Sequence, residues 1–379
     1  MLPYILLIAI PFLFCMIAFQ KRKQMILGGF AEDKKLIQSI NWAMPVFFGI
    51  LFILLSARHS IVGNDTMGYN NVFQYYRLHS FQQILNMEDE NRAELLYMLL
   101  NWSVGKLTDN FQWLLVVASA ITLLPMFFLY NENGEYSFMK IILFVNMTTF
   151  IMMFSGIRQM LAVSMGVLAY FCARKKKWFW FLVVTAIAVG FHSSGIMILA
   201  IYPLYHISFR RKHLWLIVPA VALIFFFNEP IFLFLANNIY GAYTGETDVI
   251  TTTETGAYTT LILFVVFAIF SYILPDEEKM DREALALRNI LVFATALQCF
   301  TLVHVLAMRM NYYFIIFIPI AMTRILPCAK DVFKPLARWA EGAINVFFTF
   351  YFIYGLWTQL DTGMSTLNTV PYIPFWQEY

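Results

Sequence analysis

Long apolar stretches alternate with short polar segments along the whole chain, and most of the polar segments are basic. A helix crosses the hydrocarbon core of a bilayer with about 20 apolar residues. Ten stretches approach or exceed this length, and they predict an all-α, polytopic integral membrane protein. The stretches are Tyr4–Phe19, Ile40–Ser56, Phe111–Tyr130, Phe138–Ala173, Trp178–Tyr205, Trp215–Ala236, Thr259–Leu274, Asn289–Met308, Met310–Leu326 and Gly342–Leu360.

Two of these stretches have lengths that do not fit a single span. Phe138–Ala173 contains 36 residues, which suits two tight spans with Ser155–Gln159 as the hairpin tip. Trp178–Tyr205 contains 28 residues, and one helix of that length would extend about 42 Å. That is long for one span and short for two, so we predict a broken pair hinged near His192–Gly195. The chain then crosses the membrane about twelve times, in one transmembrane domain over residues 1–379.

The positions of the cations test this topology, because cytoplasmic loops are enriched in Lys and Arg. With both termini outside, 20 of the 26 Lys and Arg residues are cytoplasmic. If Trp178–Tyr205 crossed only once, the number would fall to 11. Charge therefore favours the broken pair. The topology predicts a first large extracytoplasmic loop at 57–110, with an interfacial helix at Leu95–Leu107, and a second loop at 237–258.

Composition agrees with a membrane protein and excludes several other classes. Charged residues make up 13% of the chain, against about 25% in soluble domains. The net charge of +3 does not indicate nucleic-acid binding, because the cations lie in short clusters between apolar spans. The four cysteines have no motif spacing, so neither a disulfide framework nor a zinc site is indicated. The N-terminal stretch lacks a basic segment and a cleavage site, and we predict that it is a retained span.

The chain contains no nucleotide-binding motif, and its predicted cytoplasmic segments are short. We therefore expect its chemistry in the membrane or on the outer face, without ATP or a nucleotide-sugar, and we predict no cofactor. Arg158, His192 and Arg309 each fall at the outer tip of a predicted hairpin, where few cations are expected. Guanidinium groups bind phosphates bidentately. Arg158 and Arg309 are thus the first candidates to bind a lipid-linked pyrophosphate, with Arg58 and Arg77 second.

Each arginine also has a structural alternative. Arg58, Arg158 and Arg309 are placed where arginines often anchor a protein to lipid headgroups. Arg77 lies in a polar loop, where it could simply be a solvated charge with no role in binding. The sequence leaves these alternatives open.

Three residues are candidates for acid–base chemistry. His192 has an intrinsic pKa near neutrality, and Asp65 and Glu94 are carboxylates in the first outer loop. His192 could instead pack helices through hydrogen bonds with the neighbouring serines. Asp65 could cap a helix that begins near Met67. Glu94 could stabilise the dipole of the interfacial helix.

Several short motifs, which together span nearly the whole chain, carry a resemblance. They are Val62–Thr66 followed by Tyr69 and Phe73; Glu94 with Tyr97 and Asn101; Ser155–Ala162; Phe191–Ser194; Arg309 with Tyr312 and Tyr313; and Pro371, Tyr372 and Phe375. With these motifs the chain resembles the EpsG-like family of bacterial polysaccharide polymerases, of the Wzy type. The spacing of Ser-Gly-Ile-Arg-Gln and Phe-His-Ser-Ser is the most specific part. Asn64 departs from the family pattern, which has Thr there, but the aspartate is in place.

The resemblance implies a polymerase that joins oligosaccharide repeat units carried on undecaprenyl pyrophosphate. It would act on the outer face of the bacterial cytoplasmic membrane, downstream of a flippase and with a chain-length regulator as a possible partner. Such enzymes are similar to metal-independent, usually inverting membrane glycosyltransferases of the GT-C class. The matching motifs add Gln159, Tyr312 and Tyr313 to the predicted substrate-binding residues.

Two rival functions remain open at this point. An O-antigen ligase would use the same donor with another acceptor, and its loss would remove all surface attachment of the glycan. A transporter of lipid-linked oligosaccharide would line its cavity with charges through the depth of the membrane. Here the polar residues cluster at the outer ends of hairpins, which counts against transport. A membrane acyltransferase is a more distant alternative.

Overall fold

The computed structural model describes residues 1–27, 41–86, 93–132, 137–235 and 255–378. Within these ranges the chain forms helices, and its β pairing consists of two isolated bridges. The all-α prediction is therefore confirmed. Residues 87–92 of the predicted first outer loop lie outside the described residues, as does all of the predicted second loop, 237–258, except its last four residues.

The chain divides into two compact units. The first contains Met1–Phe171, Trp178–Ile196 and Glu341–Tyr379, and the second contains Cys172–Lys177 and Met197–Ala340. The α-helices in chain order are α1 (Leu2–Leu27), α2 (Ala43–Ser56), α3 (Thr66–Leu78), α4 (Phe81–Leu85), α5 (Leu95–Leu107), α6 (Gln112–Asn131), α7 (Ser137–Val145), α8 (Thr148–Ser155), α9 (Ile157–Arg174), α10 (Trp178–Phe191), α11 (Ile201–His206), α12 (Leu214–Phe226), α13 (Asn228–Leu235), α14 (Thr255–Ile273), α15 (Arg282–Phe300), α16 (Val305–Ile315), α17 (Ile318–Ile325) and α18 (Lys334–Thr362).

Several of these helices can cross a membrane. Four segments of the described chain are long and apolar enough, or six if each of two sharply bent pairs is one span. The four are Leu2–Gln24, Gln112–Asn131, Arg282–Phe300 and Ala307–Cys328, and the bent pairs are Phe138–Val145 with Thr148–Ser155 and Arg211–Phe226 with Asn228–Phe234. Three shorter apolar helices accompany them. The protein is thus a multispan membrane protein, and the count of about twelve crossings stays a prediction.

The predicted interfacial helix forms as α5 and lies against α3 in the first unit. The ring of Tyr69 on α3 lies 5.6 Å from that of Tyr97 on α5. Eight residues later on each helix, Arg77 packs over Gly105, where an added Cβ would lie 3.0 Å from the Arg77 Cβ. The two helices therefore run in the same direction. Their apolar faces, including Phe73, are buried in one core cluster.

The predicted break near His192 is present. Helix α10 ends at Phe191 and a 3₁₀ helix follows over Ser193–Ala200. A Cβ added to Gly195 would lie 2.7 Å from the backbone carbon of Ala188. A continuous helix would separate these two residues by about 10 Å along its axis. The chain therefore folds back at His192, and only glycine fits where the two backbones meet.

The segment between Arg174 and His206 contains the break at His192. Both of its ends contact the start of α15 in the second unit. Arg174, just before α10, pairs with Glu283 at 3.1 Å. Arg282 donates hydrogen bonds to the His206 carbonyl and, at 2.6 Å, to the Ser208 hydroxyl. The segment between Arg174 and His206 therefore leaves and returns at the same end of that unit, as the broken-pair prediction requires.

The cations predicted to be cytoplasmic gather at this end of the second unit. Arg324 contacts Asp281 at 2.7 Å and Glu283 at 3.1 Å. Arg288, which is fully buried, pairs with Glu277 at 2.8 Å. Arg211 donates its backbone N–H to the same glutamate at 2.9 Å. One cluster of carboxylates thus holds cations from sequence-distant segments, as expected if these segments share one side of the membrane.

Arg309 lies at the opposite end of the second unit. It is exposed near the start of α16. Two residues later, the Asn311 amide donates to the Ala294 carbonyl and to the Gln298 side chain of α15, both at 3.0 Å. The sixteen residues from Arg282 to Gln298 rise about 24 Å. Arg309 is therefore far from the salt-bridge cluster, in agreement with its predicted outer position.

Candidate functional site

The predicted first outer loop is fixed onto the end of α8 in the first unit. The Asp65 N–H donates to the Ser155 hydroxyl at 3.2 Å, and the Thr66 hydroxyl donates to the Phe154 carbonyl at 3.0 Å. Gly63 has a φ of +95°, and an added Cβ would lie 1.9 Å from the Phe154 oxygen, so no larger residue fits there. The loop motif and the Ser-Gly-Ile-Arg-Gln motif are thus joined directly.

Asp65 precedes helix α3, which begins at Thr66, one residue before the predicted start. It occupies the N-cap position, but its carboxylate makes no capping hydrogen bond and is exposed. Asp65 is therefore at the capping position, but its side chain does not cap the helix.

Glu94 joins the two most specific motifs. Its Oε2 lies 3.1 Å from the Arg158 guanidinium, and its Oε1 accepts the backbone N–H of Ser193 at 3.0 Å. Glu94 is the N-cap residue of α5, yet its side chain makes no capping bond. The carboxylate thus bridges residues that are 64 and 99 positions away in sequence. The sequence offered stabilisation of the helix dipole as an alternative role for Glu94. These two contacts are more specific than that role.

Two tyrosines surround Arg158. The Tyr69 hydroxyl hydrogen-bonds to Arg158, and the ring of Tyr97 lies 6.0 Å from the guanidinium carbon. The side chains of Arg158 and Glu94 are 32% and 21% exposed, so solvent reaches both. Below them Ile157 belongs to the buried core cluster. An apolar floor of this kind lowers the local dielectric and strengthens the attraction between charged groups.

His192 is half-buried beside this pair and is held by its own turn. Its Nδ1 lies 2.7 Å from the Ser194 hydroxyl and accepts the Ser194 backbone N–H at 3.2 Å. A backbone N–H can only donate, so Nδ1 is an acceptor and the neutral ring carries its proton on Nε2. In this tautomer Nε2 has no lone pair for a proton. The geometry thus favours the structural alternative for His192.

The two second-rank arginines have different environments. Arg58 is 1% exposed, and its guanidinium donates to the Leu55 carbonyl and lies 5.9 Å from the Phe154 ring centre. Burial lowers its pKa to about 10, so it remains charged at neutral pH. Arg77 donates to Gln74 at 3.1 Å, eight residues and about 12 Å along α3 from Tyr69. Arg58 is therefore buried and Arg77 lies at the other end of α3 from Tyr69, and phosphate binding by these two arginines stays a prediction.

The remaining predicted substrate-binding residues have mixed environments. Gln159 follows Arg158 but is buried at 2% exposure. Tyr312 and Tyr313 are buried in the interior of the second unit, while Arg309 on the same helix is exposed. The burial of both tyrosines argues for a packing role. Of this group, Arg309 alone is accessible to a ligand.

The sequence prediction missed two contributors to the site. One is the Tyr69 hydroxyl, although Tyr69 belongs to the motif after Val62–Thr66 that carries the family resemblance. The other is the Ser193 N–H, which no side-chain motif can indicate. Among the described residues, no three His, Cys, Asp or Glu side chains are grouped as a metal site. The absence of a metal in the reaction stays a prediction.

Comparison with known proteins places the chain in a protein family. The model of the EpsG family matches residues 41–373, a range that includes Asp65, Glu94, Arg158 and His192. No curated protein and no solved structure matches the chain.

Proposed function

The chain belongs to the EpsG family, and from this premise we propose that it is a membrane glycosyltransferase that polymerises a polysaccharide. The donor is a growing glycan on undecaprenyl pyrophosphate, and the acceptor is a sugar hydroxyl of another lipid-linked repeat unit. The reaction takes place on the outer face of the bacterial cytoplasmic membrane, inverts the donor carbon and needs no metal. The chain crosses the membrane about twelve times in this proposal, and both of its termini lie outside.

The observation that carries this proposal is the cluster of Glu94, Arg158 and Ser193. Arg158 uses Nη1 to contact Glu94, and a guanidinium has five N–H donors in a planar fork. Donors therefore remain for two oxygens of a pyrophosphate. Because Glu94 and Tyr69 fix the guanidinium, little conformational entropy is lost when a substrate binds. Glu94 has both oxygens in use and acts to orient Arg158.

In the proposed reaction, the acceptor oxygen attacks the anomeric carbon of the donor while a base removes its proton. The bond between that carbon and the pyrophosphate oxygen breaks, and undecaprenyl pyrophosphate leaves with the electron pair. Arg158 stabilises the charge that develops on the leaving oxygen. Arg309 is a second candidate for this role. Asp65 is the proposed base, because its carboxylate is exposed, uncapped and one turn from Tyr69.

We expect Asp65→Asn to lower the polymerisation rate by about 10²–10⁴-fold, the usual contribution of a general base. His192→Gln should keep most of the activity, because a glutamine can still accept the Ser194 N–H. Asn64→Ala, at the exposed neighbouring position, is the matched control. Rates are measured at equal amounts of folded protein. Loss of activity in His192→Gln with full activity in Asp65→Asn would assign the base to His192.

The function itself is tested by reconstitution. The purified protein is placed in liposomes with the lipid-linked repeat unit, without nucleotide and with a chelator. Polymerisation predicts a ladder of lipid-linked products, each longer by one repeat. A single transfer to another acceptor would instead indicate a ligase. Transfer across the bilayer without any new glycosidic bond would indicate a transporter, and both results contradict the proposal.

A further inference from the structure

The C-terminal tail, residues 363–378, folds back onto the first outer loop. The Gly63 N–H donates to the Asn368 carbonyl and the Asn64 N–H donates to the Leu367 carbonyl, both at 3.1 Å. Leu367 and Asn368 both have left-handed φ angles, 52° and 51°. This conformation is uncommon outside glycine, and such residues concentrate at functional positions. The two carbonyls that hold the loop thus belong to the two unusual residues.

A second pairing lies closer to the end of α2. The His59 N–H donates to the Ile373 carbonyl at 2.8 Å, and the Phe375 N–H donates to the Ala57 carbonyl at 2.9 Å. These bonds form a short antiparallel bridge centred on Arg58. The tail is therefore held along the loop at two places, by backbone bonds that do not depend on a particular side chain.

Two tyrosines fix the tail to the ends of transmembrane helices. The Tyr4 hydroxyl donates to the Thr369 carbonyl at 2.6 Å, and the Tyr372 hydroxyl donates to the Leu54 carbonyl at 3.1 Å. Burial raises the pKa of Tyr372 to about 12, so its hydroxyl remains a donor at physiological pH. The tail is thus attached to α1 and α2 as well as to the loop.

Two of these contacts fix the backbone directly before Asp65. The N–H groups of Gly63 and Asn64 are taken by the tail, and the N–H of Asp65 is taken by Ser155. Three consecutive backbone donors are therefore fixed from two sides. Such a backbone has little freedom to rotate, so the direction of the Asp65 side chain depends on the tail.

We propose that the tail, residues 363–378, is a positioning element of the active site, which stays attached to residues 57–64 during turnover and aims Asp65. This rests on the proposed function, because the aim of Asp65 matters only if Asp65 takes part in the reaction. The attachment itself can be measured without any activity.

The first experiment measures attachment by disulfide formation in the full-length protein. All four native cysteines are free and are replaced by serine. Ala57→Cys with Phe375→Cys places two thiols on residues that face each other in an antiparallel pair, where Cα atoms lie about 5.5 Å apart. We expect nearly complete cross-linking with a mild oxidant. Ala57→Cys with Met364→Cys is the control, because Met364 is in the same tail, is 81% exposed and is not paired with the loop.

Equal cross-linking of the two pairs would overturn the proposal, since it would mean that the tail is mobile. The activity of the cross-linked protein is a second test of whether the tail stays attached during turnover. A polymerisation rate within about twofold of the reduced protein supports permanent attachment. Loss of activity that a reductant restores would show that the tail must leave, and would also overturn the proposal.

The second experiment separates positioning from binding. Tyr372→Phe removes one hydroxyl that lies in the tail and not in the cluster around Arg158. We expect kcat to fall about 3- to 10-fold with an unchanged KM for the lipid-linked donor, because a misdirected base affects the transition state alone. Tyr354→Phe, at an exposed position of α18, should change neither. An unchanged kcat in Tyr372→Phe, or a change in KM alone, contradicts the proposal.

Failure of this proposal and failure of the proposed function give different results. If the wild-type protein forms no polymer with a lipid-linked repeat, the proposed function is wrong, whatever the cross-linking yields. If the wild-type protein polymerises but the two cysteine pairs cross-link equally, the proposed function stands and the positioning role of the tail is wrong.

Discussion

Replacing Arg158 with alanine is expected to lower polymer formation by roughly 30- to 1000-fold while the protein still folds. Loss of one preorganised charge that faces a leaving group costs about 2–4 kcal/mol of transition-state stabilisation. Arg158 is partly exposed and anchored by Glu94 and Tyr69, so the charge is both reachable and fixed. The rate is measured as the growth of the product ladder in liposomes at equal protein.

Two variants make this result specific. Arg158→Lys keeps a charge but loses the planar fork, so an intermediate rate is expected. Arg77→Ala is the matched control, because Arg77 is also an arginine of the first unit but contacts Gln74 and packs over Gly105. Its rate should stay close to that of the wild type. Normal polymerisation by Arg158→Ala would refute the assignment of Arg158.

Glu94 should be coupled to Arg158 in the same assay. Glu94→Ala leaves the guanidinium without its carboxylate and frees the Ser193 N–H. If Glu94 acts by orienting Arg158, the double variant should be little worse than Arg158→Ala alone, because residues that act as a unit have non-additive effects. Additive losses would mean that Glu94 has a separate role.

The second large effect is expected on stability, at the salt-bridge cluster of the second unit. Glu277→Gln should destabilise the fold by about 3–5 kcal/mol, the usual result when a buried charge loses its counter-charge. The charge left behind is Arg288, which is fully buried and lies over the Tyr272 ring at 4.2 Å. The measurement is the unfolding midpoint in detergent, compared with that of the wild type.

Replacing Arg288, the buried charge itself, should destabilise the fold less than Glu277→Gln does. Arg288→Met removes the guanidinium from the interior, and the Glu277 carboxylate that is left is 17% exposed and still accepts the Arg211 backbone N–H, so its charge remains partly solvated and hydrogen-bonded. Asp331→Ala is the control for a surface pair, because the Asp331 side chain is 75% exposed, and no measurable shift is expected. If Arg288→Met lowered the midpoint more than Glu277→Gln, the desolvated charge would not be the dominant cost.

Hydropathy and charge together predicted the helical class and the broken pair near His192. The reason is that the bilayer imposes a length on each apolar helix, and cations are distributed by side. The cation counts alone predicted that the chain comes back at His206 to the side where it left at Arg174. The contacts of Arg174 with Glu283 and of His206 with Arg282 agree with this prediction. The number of crossings was less well determined, since short and bent helices make spans ambiguous.

The pairing of charges was not predictable in the same way. Arg58 and Arg158 each lie beside the end of an apolar helix, yet one is buried and the other is accessible. The difference comes from the tail, which covers Arg58 from more than 300 residues away in sequence. Glu94 was identified as a candidate, but its contact with Arg158 depends on α3, α5 and the His192 turn being packed together.

By itself, the sequence determined the helical class and the membrane environment of the chain, and it predicted a side for each polar segment and a short list of residues with suitable chemistry. These follow from local composition, because hydrophobic burial and charge distribution act on each segment separately. The tertiary structure alone decided which arginine is accessible, which carboxylate is already engaged and which loop the tail holds. Those properties depend on contacts between distant segments, whose geometry no local pattern specifies.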